Sequence, residues 1–200
     1  MSDPGFAPSL SDEERKALLS LARASLRHWL EQGGPMPKDS EEAFCLGEIS
    51  RAALNVFVSL HRKGTLRGCI GTLAADQPLY RAVASCALGA GLRDPRFDPL
   101  TAGELADCEI DISVLGPFSP IESVDEIEVG LHGLLVETDY HRGLLLPQVA
   151  TQYGWDAAQF LRQAYVKAGL SPQSHVRGAT VSTFTAWVFS EKDFPELRAE

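Results

Sequence analysis

The chain has 200 residues, enough for one domain or two small subdomains with a buried core. Hydrophobic residues make up 44% and charged residues 22%, an ordinary soluble composition, and 18 basic against 27 acidic residues give a formal charge of −9. That balance argues against general nucleic-acid binding, because an acidic surface repels phosphate backbones, and only the Arg67, Arg93 and Arg96 region offers a local basic patch. No apolar run is long enough to cross a membrane, and Met1 to Pro8 lacks an apolar signal core.

In chain order, residues 1–9 read as a flexible end. Ser11 is an N-cap with Glu14 at the capping-box position, and Leu18, Leu21, Ala22, Ser25 and Trp29 recur at helical spacing to about Leu30. Gly33, Gly34, Pro35 and Pro37 open a polar loop to about Glu42. Leu54–Leu60 reads as a strand, His61 to Gly64 as a turn, and Leu66–Leu73 as the returning partner. Pro78 opens a helix carrying Leu79, Val83, Ala87 and Ala90, which stops at Arg93-Asp94-Pro95-Arg96-Phe97-Asp98-Pro99. Thr101 to Ala106 is one helical turn.

Cys108–Leu115 alternates apolar with polar and predicts a half-exposed strand. Leu131–Val136 and Gly143–Leu146 form a hairpin. Pro147 begins a short helix to Tyr153, Asp156 with Gln159 caps the next helix, and Val181–Phe189 is one last long strand. Residues 192–200 are a second flexible end. Hairpins and helices mix without a βαβ rhythm, which predicts an α+β fold with mainly antiparallel sheets.

Chemistry concentrates in Leu66-Arg67-Gly68-Cys69-Ile70-Gly71. As a strand it sets Arg67 and Cys69 on one face, and a guanidinium beside a thiol favours the thiolate. Gly68 and Gly71 permit close backbone approach. Cys69 is therefore a candidate nucleophile, with a buried packing residue as the plain alternative. Its base would be His61, His132, His141 or His175. Arg67 either binds an anion or pairs with Glu109, Asp111 or Asp94. Arg96 reaches the same site or braces loop carbonyls; Asp94 binds there or turns the chain. His132 is a ligand, a general acid or a satisfied structural residue. Glu109 and Asp111 fit a solvated sheet face, and Trp155 a core or hinge aromatic. The spacings of Cys45, Cys69, Cys86 and Cys108 are not those of zinc ligands, so no metal and no cofactor is expected. Free thiols point to a cytoplasmic location.

These motifs together resemble the AMMECR-one domain family, called AmmeMemoRadiSam system protein A in prokaryotes. The LRGCIG hexapeptide is joined in order by Arg93-Asp94-Pro95-Arg96-Phe97, by Gly130-Leu131-His132-Gly133, and by Leu145-Leu146-Pro147-Gln148-Val149-Ala150 with Gly154-Trp155 and Lys167-Ala168-Gly169. The resemblance spans residues 10–190 and implies two subdomains with a cleft between them, the larger holding both termini and the smaller inserted. It also implies association with a Memo-type protein and a radical SAM enzyme. The expected role is a ligand- or partner-binding cleft around LRGCIG. Arg67, Gly68, Gly71, Asp94, Arg96 and His132 are the expected binding residues. The alternative is an enzyme using Cys69 as thiolate and Arg67 to bind a small anionic substrate. Neither membrane nor nucleic acid is an expected partner.

Overall fold

The computed structural model describes residues 10–171 and 178–198. The expected flexible end at 1–9 lies outside them. By contact the chain divides into two compact units, Met1–Val114 with Trp187–Glu200, and Leu115–Ala186. Helices combine with antiparallel strand pairs, so the fold is α+β.

The first unit is built from α1 (Asp12–Gln32), α2 (Lys38–Glu42), β1 (Asn55–Arg62), β2 (Thr65–Thr72), α3 (Leu79–Leu92), α4 (Ala102–Leu105), β3 (Cys108–Leu115) and β8 (Ala186–Ser190). Ser11 and Glu14 close the α1 capping box as expected. The sheet order is β2-β1-β3-β8, which leaves β2 at an edge. Val56, Val58 and Leu60 of β1 and Ile110, Ile112 and Val114 of β3 are fully buried beneath α1 and α3. The polar alternates of those strands therefore occupy the opposite face of the sheet.

The second unit holds β4 (Ser119–Pro120), β5 (Gly133–Glu137), β6 (Arg142–Leu145), α5 (Pro147–Tyr153), α6 (Ala157–Lys167) and β7 (Thr180–Phe184), with sheet order β4-β7-β5-β6. Asp156 caps α6 with Gln159 as expected. Leu134, Val136, Phe160 and Ala164 form its core.

Several expectations shift. The polar loop to Glu42 contains the short helix α2. Strand β1 runs on through Arg62, so the turn shrinks to Lys63-Gly64, both at positive φ (52° and 77°). That pair matches the two-residue hairpin geometry that agrees with strand twist. The last strand is two: it breaks at Thr185, whose carbonyl accepts the Gly116 N–H at 2.8 Å, and the halves join different sheets. Residues 192–198, expected to be flexible, include a 3₁₀ turn at Pro195–Arg198, with Phe194 buried in the first core. Glu191 anchors the segment. Its wholly buried carboxylate takes Arg23 Nε at 2.6 Å and the Ile110 N–H at 2.9 Å.

Candidate functional site

The LRGCIG strand is β2, and each of its residues is placed by a different constraint. Pairing runs Ser59 to Cys69 and Leu60 to Gly68, then jumps to His61 and Leu66. Arg67 is the extra residue of a β-bulge. A bulge interrupts the two-residue alternation on which a shared face for Arg67 and Cys69 depended. Gly68 meets α3 so closely that a Cβ there would lie 2.0 Å from the Ala90 carbonyl oxygen. A Cβ at Gly71 would strike the Phe57 ring at 2.3 Å. Both glycines are thus explained by packing.

Arg67 is paired, though not with Glu109, Asp111 or Asp94. Its Nε and Nη2 both bond Glu104 at 3.2 Å, from the first turn of α4. Glu104 also accepts from Arg62 Nη1 at 3.2 Å and from the Thr101 N–H and hydroxyl at 3.1 Å. The Arg67 bonds, helped by the Thr101 amide, pull the Glu104 carboxyl down to about 2. Arg67 is thereby committed within the first unit and is only 14% exposed.

Asp94 joins the two sequence motifs. Its side chain is 2% exposed and accepts four hydrogen bonds: Cys69 N–H at 2.8 Å, Arg96 N–H at 3.1 Å, Arg96 Nε at 2.9 Å and Arg96 Nη2 at 2.7 Å. The Arg96 guanidinium above all, with both backbone donors, holds this carboxyl well below the usual range despite burial. Cys69 N–H and Arg96 Nη2 converge on the same oxygen, Oδ2. Arg96 therefore stands one carboxylate away from the β2 backbone, with 53% of its side chain exposed. Asp94 thus holds Arg96 at the edge of β2 where Cys69 lies. Both Arg67 and Arg96 also lie against the Phe97 ring, their Cζ atoms 5.9 and 5.4 Å from its centroid.

Cys69 is a half-buried free thiol. Burial pushes Cys86 up to about 11 and raises Cys108 and Cys45, which suits packing residues. Of the candidate bases, His175 lies outside the described residues. His132 is not in a strand. It sits in the turn before β5, where its Nδ1 accepts the Glu128 N–H at 3.0 Å, a local structural bond in the second unit. Trp155 stacks on Tyr153 with ring centroids 4.8 Å apart. His61 is the histidine on the LRGCIG hairpin. It shares a strand face with Ser59, the partner of Cys69, and its Nδ1 lies 3.0 Å from Asp111 Oδ2. The alternation of Val56, Val58 and Leu60 against Phe57, Ser59 and His61 carried that placement in the sequence. Glu104 had no such signal. Among the described residues no three His, Cys, Asp or Glu side chains lie close enough to hold a metal ion, and no helix is long and apolar enough to cross a membrane.

The AMMECR1 family model matches residues 19–189. Protein Mbar_A1807 of Methanosarcina barkeri is 39% identical, the match covering 92% of this chain and 93% of that protein. A protein of Methanothermobacter thermautotrophicus is 40% identical over 93% of this chain and 98% of its own. The crystal structure of uncharacterized protein PH0010 from Pyrococcus horikoshii superposes with a TM-score of 0.80 at 35% identity, covering 92% of this chain and 94% of that one. With a family match over most of its length and relatives of this identity, the chain belongs to the AMMECR1 family.

Proposed function

We propose that the protein is a cytoplasmic recognition component that acts with a Memo-type protein and a radical SAM enzyme. The LRGCIG strand and the Arg93–Phe97 turn would form a site for an anionic group, either of a small ligand or of the partner. The resemblance described above supplies the partners. The observation that carries the site is the buried Asp94 carboxylate, which fixes Arg96 and the Cys69 backbone on one oxygen while half of the Arg96 side chain stays in solvent. A guanidinium held this way has already lost much of its rotamer freedom, so binding a carboxylate or phosphate costs little more. The alternative, an enzyme in which Arg67 holds the substrate, is less well supported. Both guanidinium groups pair with a carboxylate, but the Arg67 side chain is only 14% exposed against 53% for Arg96.

Calorimetric titration of the purified Memo-type and radical SAM proteins into this chain tests the proposal. Binding by the wild-type and Cys69→Ser chains is expected. Arg96→Gln should weaken it about tenfold or more, the effect of losing one charge-assisted hydrogen bond. Binding to neither protein, or equal binding by Arg96→Gln, would refute it.

A further inference from the structure

The solvent-side face of the first sheet carries groups that recognition leaves unused. β1 alternates without interruption, so Ser59 and His61 share the face opposite buried Val58 and Leu60. Directly paired residues of antiparallel strands share a face, which places the Cys69 thiol there as well, opposite Ser59. His61 lies two residues along β1 from Ser59, on the face that carries Cys69, with the Arg67 bulge between the two pairs. On the next strand, Asp111 Oδ2 lies at contact distance from His61 Nδ1, out of line for a hydrogen bond, and Asp111 Oδ1 is enclosed and unpaired. Unliganded sites commonly show such loose catalytic hydrogen bonds. Beyond the β2 edge, on the other side of Cys69, stands Arg96. The order across the sheet is cation, thiol, imidazole, carboxylate.

We propose that Cys69 is a nucleophile toward an anionic acyl compound, an ester or thioester bearing a carboxylate or phosphate that Arg96 binds. His61 is its base, and Asp111 is a positioning residue for His61. In the first step the Cys69 proton passes to His61 Nε2, the sulfur pair forms a bond to the acyl carbon, and the carbonyl π pair moves onto oxygen. That pair then returns and expels the alkoxide or thiolate, which takes the proton back from His61. The acyl group remains as a thioester on Cys69, for water or a second nucleophile to remove. Asp111 at Nδ1 leaves Nε2 to face the thiol. Cys86 and Cys108, buried in the core, have no comparable surroundings. The inference goes beyond partner recognition and stands independently of it. A failed partner titration leaves the thiol chemistry untouched.

Iodoacetate and iodoacetamide are near-isosteric alkylating probes that differ by one charge. Their rates at Cys69 in the folded protein are read by peptide mass spectrometry across pH, with Cys45 in the same digest as reference. Wild-type Cys69 should favour iodoacetate by about fivefold relative to a free cysteine peptide at low salt, the worth of one partly screened charge contact. Arg96→Gln should abolish that preference. His61→Gln should slow iodoacetamide at Cys69 near neutral pH severalfold, and Asp111→Asn should slow it by less. The proposal is overturned if Cys69 labels only after denaturation, if wild type shows no reagent preference, or if His61→Gln leaves the iodoacetamide rate unchanged. The reagent ratio on wild type requires no variant to fold. An unchanged rate in Asp111→Asn refutes the part given to Asp111.

Discussion

Replacing Gly68 with alanine tests whether the second residue pair of LRGCIG is packing or binding. The new Cβ would lie 2.0 Å from the Ala90 carbonyl oxygen and 3.0 Å from its carbon. Real Cβ atoms stand well over an ångström farther from an oxygen, so α3 or β2 must shift by that much. Neither yields easily. Ala87, Ala90 and Gly91 of α3 are buried, and β2 is fixed by its pairing to β1 and by the Asp94 bond to Cys69. Forced overpacking of this kind costs about 1–3 kcal/mol and sometimes more. Loss of the Asp94 bond as β2 retreats adds about 1 kcal/mol, and the lower unfolded-state entropy of alanine returns about 0.5–1 kcal/mol. The net expectation is about 1–3.5 kcal/mol of destabilisation, or roughly 2–14 °C in melting temperature for a chain of this size. Urea unfolding followed by circular dichroism measures it. Gly103→Ala is the control: nothing lies within 4 Å of its Cβ, and it sits in α4, so it should be neutral or slightly stabilising. If Gly68→Ala unfolds within about 0.5 kcal/mol of wild type, the packing explanation fails and the glycine is there for a ligand.

Two further outcomes follow from the ion pairs. Glu104, drawn down to about 2 by Arg67 and Thr101, contributes stability that is complete above its unfolded value near 4.5 and is lost as pH falls toward 2. Wild type should therefore lose about 1–3 kcal/mol more than Glu104→Gln across that interval, after allowance for solvent screening; parallel pH profiles in urea titrations would contradict this. Glu191→Gln leaves the buried Arg23 guanidinium uncompensated and should cost about 3–5 kcal/mol. It should also expose the chain after Ser190 to limited proteolysis, and a variant as resistant as wild type would show that the 3₁₀ turn and Phe194 hold the segment without the pair.

The sequence disclosed those parts of the fold whose cause is local. Ser11 with Glu14 and Asp156 with Gln159 are complete capping boxes within four residues, and both helices begin where those residues set them. The β1–β2 hairpin was legible from a first strand rich in Val and Phe and from the glycine of its turn. The break at Thr185 was not, because Val181–Phe189 is continuously rich in strand formers and only the change of sheet separates its halves. Likewise the Arg67 bulge is a property of two strands in register. Its partner Glu104 lies 37 residues away, in a helix of four residues. Residue types at the site were readable; which arginine Asp94 ties to the Cys69 strand was not.

That exchange of arginines bears on how the two motifs work. Arg67 stands two residues from Cys69 in sequence, yet the bulge sends it to Glu104, while Arg96, 27 positions away, reaches the thiol strand through Asp94. An aspartate at position 94 is therefore required by two neighbours at once: an edge-strand N–H that would otherwise face water, and a guanidinium that would otherwise sample many rotamers. Asparagine offers one acceptor oxygen in place of two and no charge, so it cannot serve the Cys69 N–H and both Arg96 nitrogens together. Loss of the carboxylate should thus release Arg96 and loosen β2 together, whereas loss of Arg96 alone leaves Asp94 on the Cys69 amide. The two substitutions separate the brace from the cation it presents.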